Sequence, residues 1–190
     1  CMPKSREFTA LSIAIVTVSN RHTRVTDTTG AMLAQQAHEQ GHRLYAQHIV
    51  AEDKYQIRAL LSSFIADSAC QVVLLNGGTG FQAKNCTSDA IRVLFDRQID
   101  GFGELFRQLS FSGVSAPFAE HAAVYSAAIQ SDAIAGLANN TLVIAMPGSP
   151  DAANLAATHL IWPQLDARTL PCNFVHLLQH LQCPSTELTQ

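Results

Sequence analysis

Short runs of apolar, β-branched residues alternate along this chain with segments whose apolar residues recur every three to four positions. The runs are typical of buried strands, and the segments are typical of amphipathic helices. The pattern predicts strands at 12–19, 45–50, 70–75 and 141–146, and helices at 29–40, 55–66, 88–95 and 151–161. This order predicts an α/β fold of three layers, in which a mainly parallel sheet carries helices on both faces.

The length and composition of the chain fit one globular domain. The 190 residues are 47% hydrophobic and 14% charged, whereas disordered chains are poor in apolar residues and rich in charge. We therefore predict one domain over residues 8–183, with loosely ordered polar termini at 1–7 and 184–190.

Composition and patterning also exclude several classes of protein. The longest apolar runs fall well short of the roughly 18 residues that a membrane span requires, so we expect neither a membrane segment nor a signal peptide. The formal net charge is −3 and the lysines and arginines are scattered, which is unlike a nucleic-acid-binding surface. The five cysteines have no paired spacing, which favours reduced thiols and a cytoplasmic location.

Two glycine-containing turns follow predicted strands. The first comprises Gly77, Gly78, Thr79 and Gly80, and the second Pro147, Gly148 and Ser149. Glycines let backbone amides approach an anion closely, and the helix that follows each turn favours phosphate at its amino end. Each turn alone is also compatible with an ordinary connection, in which Ser149 would only cap a helix. Because both turns follow parallel strands, together they predict a ligand with several phosphates, or with one phosphate and a polar ring.

Acidic residues lie near the same edge of the predicted sheet. Asp53 follows the strand at 45–50, where its carboxylate would either hold Mg²⁺ against phosphate oxygens or cap the next helix. Asp27 has the same two alternatives, a helix cap or a site residue. Glu104 and Arg107 lie one helical turn apart, which predicts an ion pair.

Several longer stretches carry a more specific likeness. They are DTTG (27–30), IVAEDKYQIR (49–58), GGTG (77–80), FDR (95–97), GFGELFRQLSF (101–111), AGLAN (135–139), AMPGS (145–149) and QLDARTLPCNF (164–174). Together they resemble the MoaB/MogA family of molybdopterin-binding proteins over almost the whole chain, and the last stretch resembles the B branch of that family.

The resemblance implies a molybdopterin-binding fold, a homotrimer or homohexamer, and a role in making molybdenum cofactor, with other enzymes of the pathway as candidate partners. Active relatives transfer AMP from Mg-ATP to the terminal phosphate of molybdopterin and release pyrophosphate. We therefore predict that Asp53 and Asn85 are catalytic and that Asp53 is the Mg²⁺ ligand. The predicted substrate-binding residues are Asp27, Gly77, Gly78, Thr79, Gly80, Glu104, Pro147, Gly148 and Ser149.

Two positions depart from the pattern of the active relatives. Asn85 stands where many of them carry an aspartate, and an amide brings Mg²⁺ no negative charge. Asp132 stands where they carry an arginine, after a segment at 112–131 that is longer by about ten residues in an alignment by eye. Two functions therefore stay open: a molybdopterin adenylyltransferase, or a protein that binds molybdopterin or a nucleotide without turnover. A structural partner of other pathway enzymes is a third.

Overall fold

The structure is a computed structural model of the chain, and it describes residues 7–112 and 126–179. The strands are β1 (Ser12–Val18), β2 (Arg43–Val50), β3 (Val72–Asn76), β4 (Arg97–Gln98), β5 (Ile134–Ala138) and β6 (Thr141–Met146). The helices are α1 (Thr28–Glu39), α2 (Lys54–Ala66), α3 (Thr87–Arg92), α4 (Asp100–Ser112), α5 (Pro150–Ala156) and α6 (Val175–Gln179). A 3₁₀ turn spans Ala127–Gln130, and α5 continues through a π-helical stretch (Ala157–Ile161) into a last turn (Trp162–Gln164).

All six strands form one sheet in the order β2-β1-β3-β6-β5-β4. Strands β2, β1, β3 and β6 are parallel, while β5 pairs antiparallel with β6 and with β4. The predicted, mainly parallel sheet is confirmed. The sequence pattern did not predict β4 and β5, because β4 has only two residues and β5 contains alanines and a glycine, which have low strand propensity.

Apolar side chains on the two faces of the sheet form two separate cores. Along β1, Ile13 and Ile15 face one core, whereas Ala14 and Val16 face the other. Helices α1, α4 and α5 pack on the first face, and α2 and α3 on the second. This arrangement confirms the three layers, because alternate residues of a strand point to opposite faces.

The connections around β1 create a crevice at one edge of the sheet. Strands β2 and β3 lie on opposite sides of β1, and the connecting helices α1 and α2 cover opposite faces. The carboxyl ends of β1 and β3 therefore form a topological switch point, which is where ligands bind in open α/β sheets.

The boundary predictions fall largely outside the described ranges. Residues 1–6 and 180–190, and residues 113–125 of the longer segment, are not described. The domain limits of 8–183 therefore stay a prediction. Within the described ranges, no helix is long and apolar enough to cross a membrane.

A buried histidine makes the stability of the fold depend on pH. The Leu11 amide donates to Nδ1 of His42 at 3.1 Å, and the ring packs against Phe8 and Trp162. Burial lowers the pKa of His42, and the nearby Asp166 carboxylate opposes this only in part. His42 is therefore harder to protonate in the folded chain than in the unfolded chain, where its pKa is about 6.5. Above that pH the ring is neutral in both states and costs no stability. As the pH drops below it, the unfolded chain binds the proton more readily and the free energy of unfolding falls.

We expect the free energy of unfolding to fall between about pH 6.5 and about pH 5, and more steeply in the wild type than in His42→Gln. Urea denaturation of both proteins at a series of pH values measures the two slopes. The carboxylates titrate in both proteins, so the difference between the slopes isolates His42. Equal slopes would contradict this interpretation of His42.

Candidate functional site

A cavity of about 250 Å³ opens at the switch point between β1 and β3. We call it the switch-point cavity, and its lining includes Gly77 and Gly78 of the first glycine turn and Gly148 of the second. Its buried lining includes Thr17, Asp27 and Asn76, and its exposed lining includes Arg21, His22 and Lys84. The lining therefore combines a buried acid, Asp27, and a half-buried acid, Glu52, with exposed cationic residues.

The two glycine turns meet beside this cavity. The Gly77 amide donates to the Met146 carbonyl at 3.0 Å. A Cβ atom added to Gly148 would lie 3.1 Å from the Cα atom of Gly77. From α1, the Thr29 hydroxyl donates to the Gly148 carbonyl at 2.8 Å. The turns that follow β3 and β6 are thus next to one another, because these two parallel strands pair in the sheet.

Only glycine fits the start of the first turn. Gly77 and Gly78 have φ angles of +97° and +68°, a region that other residues rarely adopt. A Cβ atom on Gly77 would lie 2.5 Å from the Val18 carbonyl oxygen, and one on Gly78 would lie 2.3 Å from Thr87 Oγ1. The Thr87 hydroxyl donates to the Gly77 carbonyl at 2.7 Å, so it fixes the turn from α3.

Asp27 is the N-cap of α1, and it also lines the switch-point cavity. Its capping role is confirmed, while its role in binding a ligand stays a prediction. Its Oδ1 accepts a bond of 2.9 Å from the Gly30 amide, and its Oδ2 accepts one of 2.6 Å from the Thr17 hydroxyl. The Asn76 side-chain amide donates to Thr17 Oγ1 at 2.9 Å. The carboxylate is only 3% exposed, and these polar partners offset the cost of burying it.

Asp53 is the N-cap of α2. Its Oδ1 accepts hydrogen bonds from the Tyr55 and Gln56 amides at 2.9 and 2.8 Å. Asp53 is exposed and does not line the switch-point cavity, whereas its neighbour Glu52 does. Both cap bonds use the same oxygen, so the cap leaves Oδ2 available. The structure therefore assigns Asp53 its capping role, while its catalytic role stays a prediction.

The thiol of Cys86 follows the loop after the first glycine turn, and the acids Glu52 and Asp53 lie near it. Burial raises the pKa of Cys86, and the carboxylates of Glu52 and Asp53 raise it further. Asp53 therefore lies within electrostatic range of the Cys86 thiol, and Cys86 follows Asn85 in the sequence.

Asn85 lines a second cavity, of about 270 Å³, which we call the loop cavity. It shares Gly78 with the switch-point cavity and also contains Gly80. A Cβ atom on Gly80 would lie 2.5 Å from Nδ2 of Asn85. The structure thus places Asn85 directly against the first glycine turn and next to the switch-point cavity.

Asp132 also lines the loop cavity, but it does not stand there as an unpaired charge. Its Oδ1 lies 3.3 Å from Nη2 of Arg92, an exposed ion pair. Its amide donates to the carbonyl of buried Thr79 at 2.9 Å, and its carbonyl accepts from the Ser88 hydroxyl at 2.5 Å. The local charge reversal expected at position 132 is therefore offset by Arg92, and Thr79 anchors the turn to the chain before β5.

The other predicted residues lie outside the two cavities. Glu104 lines a separate polar pocket that also contains Arg107 and Asp132. The predicted Glu104–Arg107 ion pair is wrong, because no ion pair among the described residues joins them, and Arg107 instead donates to the Ser131 carbonyl at 3.4 Å.

In the second turn only Gly148 lines the switch-point cavity, and Pro147 and Ser149 line neither cavity. Ser149 takes the N-cap position of α5, but its side chain makes no capping hydrogen bond. Capping by the Ser149 hydroxyl is therefore wrong, and helix α5 begins with Pro150 at its first position instead.

Comparison with known proteins decides the family. Residues 14–167 match the model of a family described as "Probable molybdopterin binding domain". The chain belongs to this molybdopterin-binding family. Molybdenum cofactor biosynthesis protein B of Escherichia coli (strain K12) is 46% identical over 170 residues, which cover 90% of this chain and 94% of that protein. The protein of the same name from Bacillus subtilis (strain 168) is 37% identical over 151 residues, covering 80% of this chain and 84% of that protein.

Solved structures agree with this family assignment. A crystal structure of molybdenum cofactor biosynthesis protein B superposes with a TM-score of 0.78 at 34% identity, covering 93% of this chain and 98% of that one. The comparisons confirm the predicted molybdopterin-binding fold and place the chain among proteins of molybdenum cofactor biosynthesis.

The acids beside the switch-point cavity suit the way in which Mg²⁺ binds together with phosphate. Among the described residues, no group of three or more histidines, cysteines and acids is arranged to hold a metal. Mg²⁺ commonly binds through one or two carboxylates together with substrate phosphates and water. The cavity residue Glu52 and the Oδ2 atom of Asp53 match that requirement. No sequence motif predicts the exposed cations of the cavity lining, Arg21 and Lys84. None predicts that Asn76 contacts Thr17, which in turn contacts Asp27.

Proposed function

We propose that this protein binds molybdopterin in the switch-point cavity and transfers AMP from Mg-ATP to its terminal phosphate. The observation that carries the proposal is the meeting of Gly77 and Gly148 at the switch point, with the two turns lining one cavity. Membership of the molybdopterin-binding family supports the choice of ligand.

The backbone and the exposed cations support the binding of phosphate. Gly77 and Gly78 have positive φ angles and open a glycine turn, and the amides of such turns can form a concave anion site. The Gly77 amide is used in the bond to the Met146 carbonyl, so we assign phosphate binding to the amides from Gly78 onward. Arg21 and Lys84 line the same cavity and are exposed. Positive charge around a concave site attracts a phosphorylated ligand and holds it against these amides.

The proposed reaction needs alignment more than proton transfer. An oxygen of the terminal phosphate of molybdopterin bonds to the α-phosphorus of ATP, and the bond from that phosphorus to the β-bridging oxygen breaks. Pyrophosphate leaves with the electron pair of that bond. The attacking oxygen is already anionic, so the protein has to orient the phosphates and balance their charge. Bound Mg²⁺ would supply charge neutralisation, and Glu52 and Asp53 are the residues that would hold it.

A second candidate function is binding of molybdopterin or a nucleotide without turnover. Asn85 favours this candidate, because it offers an amide at a place where a carboxylate would strengthen the hold on Mg²⁺. The loop cavity it lines adjoins the switch-point cavity at Gly78, so a missing charge there affects the proposed reaction directly.

We expect Asn85→Asp to raise the rate of adenylylation by roughly tenfold or more, because the added charge strengthens the hold on Mg²⁺. Rates measured against Mg²⁺ concentration should show the gain as a lower Mg²⁺ requirement. Asn85→Ser, which adds no charge, is the matched control and should show no gain. Equal rates for Asn85→Asp and the wild type would mean that charge at position 85 does not limit turnover.

A single experiment distinguishes the two candidate functions. Purified protein, molybdopterin, ATP and Mg²⁺ should yield adenylylated molybdopterin and pyrophosphate in equal amounts. Binding of molybdopterin without product at any Mg²⁺ concentration would support the second candidate. The proposal also includes a cytoplasmic homotrimer or homohexamer, which light scattering on the purified protein tests separately.

A further inference from the structure

We infer that Asp27 recognises the donor edge of a 2-aminopyrimidinone ring, the ring that a pterin carries, in the switch-point cavity. The inference rests on the proposed function, because it assigns the ring and the phosphate of the proposed ligand to different residues of that cavity. It orients the ligand with the ring toward Asp27 and the phosphate toward Arg21 and Lys84.

The orientation follows from the charges in the cavity lining. Asp27 is 3% exposed, whereas Arg21 and Lys84 are exposed. A buried carboxylate repels an anionic phosphate, and water cannot screen that repulsion well. The phosphate therefore belongs with the exposed cations, and the buried carboxylate favours a neutral group that donates hydrogen bonds.

The carboxylate of Asp27 keeps acceptor capacity for such a group. Oδ1 accepts one bond from the Gly30 amide, and Oδ2 accepts one from the Thr17 hydroxyl. Each carboxylate oxygen can accept two hydrogen bonds. A pterin ring presents a ring N–H and an exocyclic NH₂ side by side, and this pair matches the two oxygens of a carboxylate.

Thr17 and Asn76 act as positioning residues for Asp27. The Asn76 amide donates to Thr17 Oγ1, so the single hydroxyl proton of Thr17 is directed to Asp27 Oδ2. A Cβ atom on Gly30 would lie 2.2 Å from that oxygen, so glycine at position 30 leaves the carboxylate its space. The carboxylate is therefore held in one orientation before a ligand arrives.

A pair of matched fluorescent rings tests the inference. In 6,7-dimethyllumazine a carbonyl oxygen replaces the amino group of 6,7-dimethylpterin, so an acceptor would face the acceptor oxygens of Asp27. Fluorescence titration of the full chain should show the pterin bound at least about tenfold more tightly than the lumazine. In Asp27→Asn the ratio should approach one, because an amide presents a donor as well as an acceptor to either ring. Asp96→Asn is the control, since Asp96 also accepts a backbone amide, that of Asn139 at 2.6 Å, and lines neither cavity.

If Asp27→Asn does not fold, the affinities of the wild-type protein for the two rings test the inference on their own. Equal affinity for the two rings in the wild type would overturn the inference, even if adenylylation of molybdopterin is observed. An undiminished preference in folded Asp27→Asn would overturn it as well. Binding of neither ring would overturn this inference, whereas the proposed function fails only if molybdopterin itself is neither bound nor adenylylated. Thr17→Val is the second variant, and it should reduce the preference because it frees the Asp27 carboxylate to rotate.

Discussion

Replacing Asp53 by asparagine should lower the rate of adenylylation by at least about a hundredfold while leaving the stability of the fold nearly unchanged. Asparagine is as good an N-cap residue as aspartate. Its side-chain oxygen can therefore still accept the amides of Tyr55 and Gln56, which now bond to Oδ1 of Asp53. What the substitution removes is the negative charge that we assign to holding Mg²⁺ against phosphate oxygens.

Steady-state rates and urea denaturation of the same preparations separate the two roles of Asp53. Asp53→Ala serves as the comparison, because it loses the cap as well and should also unfold more easily, by about 1 kcal/mol. If Asp53→Asn keeps the wild-type rate, Asp53 is a helix cap only, and the assignment of Mg²⁺ to it is wrong.

The second large effect is expected at the first glycine turn. Gly77→Ala should lower the free energy of unfolding by roughly 2–4 kcal/mol and abolish detectable binding of molybdopterin. Gly77 has a φ angle of +97°, and an added Cβ would lie 2.5 Å from the carbonyl oxygen of Val18 in β1. A backbone atom of a central strand cannot move aside cheaply, so the turn itself has to shift.

Gly101→Ala is the matched control for this substitution. Nothing lies within 4 Å of a Cβ atom at Gly101, and the residue is near the start of helix α4. Alanine is favoured over glycine in a helix, so Gly101→Ala should be neutral or more stable by up to about 1 kcal/mol. Similar stabilities for Gly77→Ala and Gly101→Ala would show that the turn is less constrained than its geometry indicates.

The parallel half of the sheet and both glycine turns could be predicted because their signals are local. Buried strands such as β1 and β3 consist almost wholly of apolar residues, and glycines mark the turns that follow. Parallel strands end at one edge, so both turns could be placed at that edge. The meeting of Gly77 and Gly148 also requires the pairing of β3 with β6, which the strand pattern does not predict. Strand β4, with two residues, is too short to produce any pattern.

The remainder of the site depends on contacts between residues distant in sequence. Arg92 offsets Asp132 across 40 positions, and Asn76 reaches Thr17 across 59. Sequence motifs are short, so no motif includes residue pairs that lie this far apart in the chain. Asp53 illustrates a different limit, because an aspartate just before a helix is suited both to capping and to holding a metal beside the helix start.

A crystal structure of the protein with bound molybdopterin would show where the ligand sits. We expect it in the switch-point cavity, with its phosphate against the Gly78 amide and near Arg21, and its ring at Asp27. A molybdopterin bound away from both glycine turns would contradict this expectation.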